Sequence, residues 1–164
     1  MTWERIRKFW AYMFATWFHI GSMPVAPGTW GSLFALPLAY FCIYWGGGWW
    51  LLTAAVLVFL LGVWATRIVL TYTTNKDPSF VVIDEVVGQM LVFLGVGNIL
   101  HLHLDRWYFL AGFALFRFFD IVKIWPASYY DQHVHSAFGV MMDDVVAGLY
   151  GAICLASLVL FFGF

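Results

Sequence analysis

The chain has 164 residues, of which 63% are hydrophobic, 21% aromatic and only 10% charged, with a mean hydropathy of +0.85. Soluble domains carry about 25% charged residues, so this composition excludes an ordinary soluble domain and belongs to a membrane protein. A formal net charge of -1 leaves no basic surface for nucleic acid.

In chain order, residues 2–18 place Arg5, Arg7 and Lys8 ahead of Phe9, Trp10, Tyr12, Phe14, Trp17 and Phe18. Without a small-residue cleavage site, and rich in Trp and Tyr, this segment predicts an amphipathic helix in the membrane interface rather than a signal peptide. Residues 21–32 hold Pro24, Pro27, Gly28 and Gly31, which predict a structured turn with no regular helix. A short first span follows at 33–45, with Pro37 near its start, and Gly46-Gly47-Gly48 predicts a tight hairpin. Further spans are expected at 49–70, 81–100, 107–125 and 140–162, separated by polar loops at 71–80 and 126–138 and a short turn at 101–106. Cys42 and Cys154 lie in apolar segments and read as small buried residues. The predicted architecture is all-α. It is one polytopic membrane unit over 1–164, with an amphipathic interfacial helix in 1–20 and a bundle of about five spans in 21–162.

Lys and Arg concentrate on the cytoplasmic side of membrane proteins. Arg5, Arg7, Lys8, Arg67, Lys76 and Lys123 put the N-terminus and the loops at 71–80 and 126–138 inside; Arg106 counts the other way. With that orientation Asp84 and Glu85, Asp120 and Lys123, and Asp143 and Asp144 all fall at one depth, at the inner ends of three spans. A carboxylate at a helix centre costs about 2.5 to 3.5 kcal/mol on insertion scales. Five acids at similar depth repel one another unless a cation sits among them, and hard oxygen donors select Mg²⁺, Mn²⁺ or Ca²⁺. The competing reading is a set of ion pairs on one helix face, Asp120 with Arg117 or Lys123, each three residues away. Two bases do not neutralise five acids. Asp84 and Gly88 are four residues apart, as are Asp144 and Gly148, so each acid has a small residue one turn along where another helix can approach. Arg117 and Lys123 are candidates to bind phosphate oxygens. Thr29 and Ser32 could donate hydrogen bonds to a headgroup or serve as plain turn residues. His133 and His135 could assist proton transfer or stand solvated.

Four blocks carry a family resemblance. They are Pro24-Val25-Ala26-Pro27-Gly28-Thr29-Trp30-Gly31-Ser32; Asp77-Pro78-Ser79 leading to Asp84-Glu85-Val86-Val87-Gly88-Gln89; Phe116-Arg117-Phe118-Phe119-Asp120-Ile121-Val122-Lys123; and Phe138-Gly139-Val140-Met141-Met142-Asp143-Asp144-Val145-Val146-Ala147-Gly148. In this order, spread over about 21–150, they resemble the signature blocks of the phosphatidylglycerophosphatase A family. The resemblance implies a Mg²⁺-dependent lipid phosphatase of the bacterial inner membrane, with its active site facing the cytoplasm. It would convert phosphatidylglycerophosphate to phosphatidylglycerol and inorganic phosphate. It carries over Asp84, Glu85, Asp120, Lys123, Asp143 and Asp144 as functional, with Arg117 and Thr29 beside them. Ile124 stands where a proline commonly follows the lysine, and His135-Ser136-Ala137 where the family has a glycine-rich turn.

The expected chemistry is metal-assisted hydrolysis of a phosphate monoester. Asp84, Glu85, Asp143 and Asp144 would hold one or two Mg²⁺ ions. Asp120 would be a further ligand or the base aligning water, and Arg117 and Lys123 would neutralise charge on the phosphoryl group. An aspartyl-phosphate intermediate stays open. The alternatives are an ion-coupled transporter, which needs acids at the midplane, and a CDP-alcohol-type phosphatidyltransferase, whose Asp-x-x-Asp-Gly-x-x-Ala-Arg pattern is missing here.

Overall fold

The computed structural model describes residues 2–75, 78–100 and 106–162, and among these its regular structure is wholly helical. The helices are α1 Trp3–Ala15, α2 Pro27–Val69, α3 Ile83–Leu91, α4 Gly97–Leu100, α5 Arg106–Val122, α6 Ala127–His133 and α7 Ala137–Phe162, with a single 3-10 turn at Ile20–Ser22. Lys76 and Asp77, and the predicted turn at 101–106 apart from Arg106, lie outside the described residues.

The N-terminal helix exposes Trp3, Phe9 and Trp10 and buries Ala11 and Ala15, the two-faced pattern its sequence predicts. It ends at Ala15, before the expected limit, because Trp17, Phe18 and His19 take left-handed φ values of 45°, 57° and 70°. Its C-terminal end docks on the bundle. The Val82 N–H donates to Ala15 O at 2.9 Å, and the Tyr12 ring packs on Phe80 at 5.6 Å.

Residues 27–32 are helical, which corrects the predicted turn over 21–32. Pro27 sits at the first helical position, where its missing N–H costs nothing and its fixed φ suits the helix. The expected hairpin is present, at Gly46 and Gly47, where α2 breaks into arms 27–45 and 48–69. Gly47 has φ 62° and ψ -152°, a conformation open only to glycine. Both arms return to one place: Gly31 packs against Val82, and Gly62 against Ile83 and Met141.

The expected continuous helix over 81–100 is instead α3, a run of turns at 92–96, and α4. The Phe93, Leu94 and Val96 N–H groups donate to carbonyls three residues back. Three-residue hydrogen bonds stretch the chain to about 2.0 Å per residue against 1.5 Å in an α-helix, so a short segment still traverses the bundle. Its far end is fixed where the Gly48 N–H donates to Asn98 Oδ1 at 2.9 Å. Val82 through Met90, apart from the half-buried Glu85, are buried, so this segment is the bundle's central post. Around it stand the arms of α2, then α5 and α7. The predicted polar loop at 126–138 is also corrected: it contains α6, anchored by buried Ala127.

Among the described residues two helices, α2 and α7, are long and apolar enough to cross a membrane. The exposed surface carries large apolar side chains such as Trp45, Trp49, Leu57, Leu60 and Phe161, as an outside facing hydrocarbon requires.

Candidate active site

At one end of the bundle, α2, α3, α5 and α7 enclose a cavity of about 360 Å³. Its lining includes Asp84 and Glu85 from α3, Arg117 and Asp120 from α5, Lys123 just beyond it, Asp143 and Asp144 from α7, and Gly28 from α2. Five of the nine acidic residues in the chain thus share one cavity with two bases.

Each side chain is placed by a local device. Asp84 and Glu85 occupy the first turn of α3, where the helix dipole favours negative charge. The pairing of acids with glycines seen in the sequence is a close helix contact. A Cβ added at Gly88 would lie 2.6 Å from Asp144 O, and one at Gly148 would lie 3.0 Å from Gly88 Cα. The backbones of α3 and α7 therefore touch one turn from Asp84 and Asp144, which sets the distance between those carboxylates. Gly28 does the same on the third side, since a Cβ there would collide with Glu85 Oε1 and reach within 3.3 Å of Arg117 Nη1.

The charges sort into three groups. Asp84, Glu85 and Asp144 each offer an oxygen within 4.8 Å of the others. Glu85 Oε2 is buried with no hydrogen-bond partner. Arg117 Nη1 pairs with Asp120 Oδ2 at 2.5 Å and reaches Ser32 Oγ at 3.4 Å, while Ser32 Oγ donates to Gly28 O at 2.8 Å. Asp120 also lies within side-chain hydrogen-bonding range of Asp144. In the third group Lys123 Nζ bridges Asp143 Oδ2 at 2.6 Å and Asp131 Oδ1 at 2.5 Å.

The last group departs from the spacing argument. Lys123 has φ 46°, so the chain turns off α5 there, and the ammonium faces α6 and α7 instead of Asp120. Asp143, expected among the metal ligands, is held by that ammonium and by the Asp144 N–H, which donates to Asp143 Oδ1 at 3.0 Å. Asp131 was not singled out by sequence. The available signal was a lone carboxylate eight residues after Lys123 in a stretch with few charges. Thr29 is half-buried on the first turn of α2 and is not among the residues lining the cavity; Ser32 reaches it through Arg117. His133 stacks on the Tyr129 ring at 5.0 Å and His135 is exposed, and neither lines the cavity.

A family model described as phosphatidylglycerophosphatase A matches residues 13–159. The chain is 35% identical over 147 residues to the Haemophilus influenzae phosphatidylglycerophosphatase A, covering 90% of this chain and 87% of that protein. It is 33% identical over 147 residues to the Escherichia coli phosphatidylglycerophosphatase A, covering 86% and 78%. A Bacteroides thetaiotaomicron protein provisionally named phosphatidylinositol-3-phosphatase is 40% identical over 151 residues, covering 88% and 90%. No solved structure matches the chain. Four ordered blocks, a cavity that gathers their charged residues, and a match over most of the chain agree: the protein belongs to the phosphatidylglycerophosphatase A family.

Proposed function

We propose that the protein hydrolyses phosphatidylglycerophosphate to phosphatidylglycerol and inorganic phosphate, with Mg²⁺, at the cytoplasmic face of a bacterial inner membrane. The observation that carries this reading is the single cavity holding five carboxylates and two fixed cations at one end of an apolar bundle. A transporter needs acids near the midplane and access from both ends; here they gather at one end. In this reading the chain crosses the membrane five times, through the two arms of α2, the broken segment 83–100, α5 and α7. Arg67 and Lys123 lie at the cavity end of their helices, as an inward-facing site requires.

The donor set suits a hard divalent cation. Asp84, Glu85 and Asp144 offer oxygens alone, and the unpartnered buried Glu85 Oε2 is a ligand atom in search of a cation. These three residues would hold Mg²⁺, which supplies polarisation of the phosphoryl oxygens and a more acidic water. Asp143 tethers Lys123 in this arrangement rather than joining the ligands. Arg117 offers two parallel N–H groups to the phosphoryl oxygens and Lys123 a point charge. Asp120, beside Arg117 and Asp144, aligns the attacking water and takes its proton. The water oxygen bonds to phosphorus, the bond to the glycerol oxygen breaks, and that oxygen leaves as the phosphatidylglycerol hydroxyl once protonated.

The test is phosphate release by purified protein in detergent, with Mg²⁺ or with EDTA, beside Asp144→Asn. Release that needs the metal and is lost in the variant is expected; a folded protein releasing none overturns the assignment. Phosphatidylinositol 3-phosphate belongs in the same assay, because the Bacteroides relative carries that substrate in its name. Faster release from it would keep the chemistry and change the headgroup.

A further inference from the structure

Arm 27–45 of α2 and α5 enclose a second depression, of about 280 Å³, farther from the inner end. Leu36, Pro37 and Tyr40 line it from α2, and Phe109 and Arg106 from α5. The same two helices wall the catalytic cavity through Gly28 and Arg117. Helical spacing joins the two places. Gly28, Ser32, Leu36 and Tyr40 follow one another at four-residue steps, as do Arg117, Phe113 and Phe109, so each set forms a continuous ridge that winds slowly round its helix. Two contacts pin the seam: Arg117 Nη1 reaches Ser32 Oγ at 3.4 Å, and the Tyr40 and Phe109 rings lie 5.8 Å apart. Polarity falls along it from guanidinium and hydroxyl at the cavity to Leu, Pro, Tyr and Phe, with Arg106 at the far end.

We propose that this seam is the acyl-chain path of the lipid substrate, with the phosphate in the cavity and one chain lying over Leu36, Pro37 and Tyr40 toward Phe109. It rests on the lipid-phosphatase reading above. One molecule with a phosphate head and an apolar tail matches a seam that is cationic at the cavity and apolar over Leu36, Pro37, Tyr40 and Phe109, short of Arg106 at its far end. Twelve residues separate Gly28 from Tyr40, about 18 Å of helix. One leaflet of a hydrocarbon core about 30 Å thick is slightly shorter than that. Pro37 and Tyr40 are exposed, so a chain can enter sideways from the bilayer.

Phosphatidylglycerophosphate bearing a diazirine along one acyl chain, in nanodiscs, tests this directly. Crosslinks at Leu36, Pro37, Tyr40 and Phe109, displaced by unlabelled phosphatidylglycerophosphate but not by phosphatidylethanolamine, are expected. Labelling spread equally to Leu57 and Leu60 on the other arm, or competition by both lipids alike, overturns the proposal. In turnover, Leu36→Trp fills the seam. It is expected to raise KM for a dioleoyl substrate about tenfold, the loss of roughly two buried methylene groups, while leaving a dihexanoyl substrate unchanged. Equal KM values for the variant and the native protein on the dioleoyl substrate overturn it too. A native protein that binds at these residues and hydrolyses neither substrate would refute the phosphatase reading and leave the lipid path standing.

Discussion

The distance between the Asp84 and Asp144 carboxylates rests on two glycines, and one methyl group tests that. In Gly148→Ala the new Cβ would sit 3.0 Å from both Cα and the carbonyl carbon of Gly88, and closer to its oxygen. Carbon pairs settle at about 3.5 to 4.0 Å, so α3 and α7 must part by roughly 1 Å. The obstacle is backbone, which no rotamer change relieves. A misplacement of about 1 Å in a reacting constellation costs on the order of a hundredfold in rate, and overpacking costs about 1 to 3 kcal/mol of stability. The comparison variant is Gly95→Ala, in the turns beyond α3, where the chain packs on α7. Its Cβ would lie 3.1 Å from Ala156 Cβ and 3.3 Å from Ala152 O, a milder crowding remote from the carboxylates. Phosphate release and thermal unfolding in detergent are measured on both. A large loss of turnover in Gly148→Ala alone, with both proteins folded, is expected. Equal losses in the two variants, or normal turnover in a folded Gly148→Ala protein, would refute the claim that this contact sets the site.

Other consequences separate the three charge groups. If Glu85 holds Mg²⁺ as proposed, Glu85→Gln replaces a ligand oxygen and is expected to raise the Mg²⁺ needed for half-maximal rate by at least the ~10- to 100-fold typical of a metal's supporting residues; a metal titration reads it. Asp143→Asn should leave that requirement unchanged and raise KM, since Asp143 is held by Lys123; a shifted titration would return Asp143 to the ligand set. Asp131→Asn removes one of the two carboxylates that hold Lys123 in position at the cavity wall. It is expected to raise KM several-fold with little effect on unfolding, because partly exposed pairs contribute only about 0 to 1 kcal/mol. Asn98→Ala orphans the Gly48 N–H and is expected to cost about 1 to 3 kcal/mol in thermal unfolding with turnover intact.

The carboxylates were legible because charge is rare in this chain and each acid stands in an apolar helical stretch. The hairpin at Gly46–Gly47 was legible for a similar reason: three glycines in an apolar run have few other uses. The four-residue step from acid to glycine announced the α3–α7 contact, which the structure realises backbone to backbone. What sequence missed has physical causes. Hydropathy counts residues and is blind to pitch, so it drew one helix across 81–100 where three-residue hydrogen bonds break it. Pro27 and Gly28 look like helix breakers; at the first turn they are tolerated, and Gly28 makes room for Glu85. Segment 126–138 is polar and read as loop. Yet Ala127 is buried and Asp131 is tied to Lys123, and both depend on partners distant in sequence.

The left-handed turn at Lys123 explains how two bases serve six acids. Had α5 continued, Lys123 would face Asp120 at three residues' spacing, in competition with Arg117 for the same carboxylate. A left-handed backbone costs a non-glycine residue about 1 to 2 kcal/mol. What it achieves is a division of labour: Arg117 takes Asp120, and Lys123 takes Asp143 and Asp131 from two other helices. Both cations stay at the cavity wall, paired yet partly exposed, as the proposed exchange of a carboxylate for a phosphate oxygen requires. Asp84, Glu85 and Asp144 are left to converge on one point. The carboxylates outnumber the bases, so a dianionic phosphate meets repulsion from the site's own acids. A bound dication between phosphate and acids removes that repulsion. In this reading the excess of acid makes entry of the phosphate itself, and not only its hydrolysis, depend on the metal.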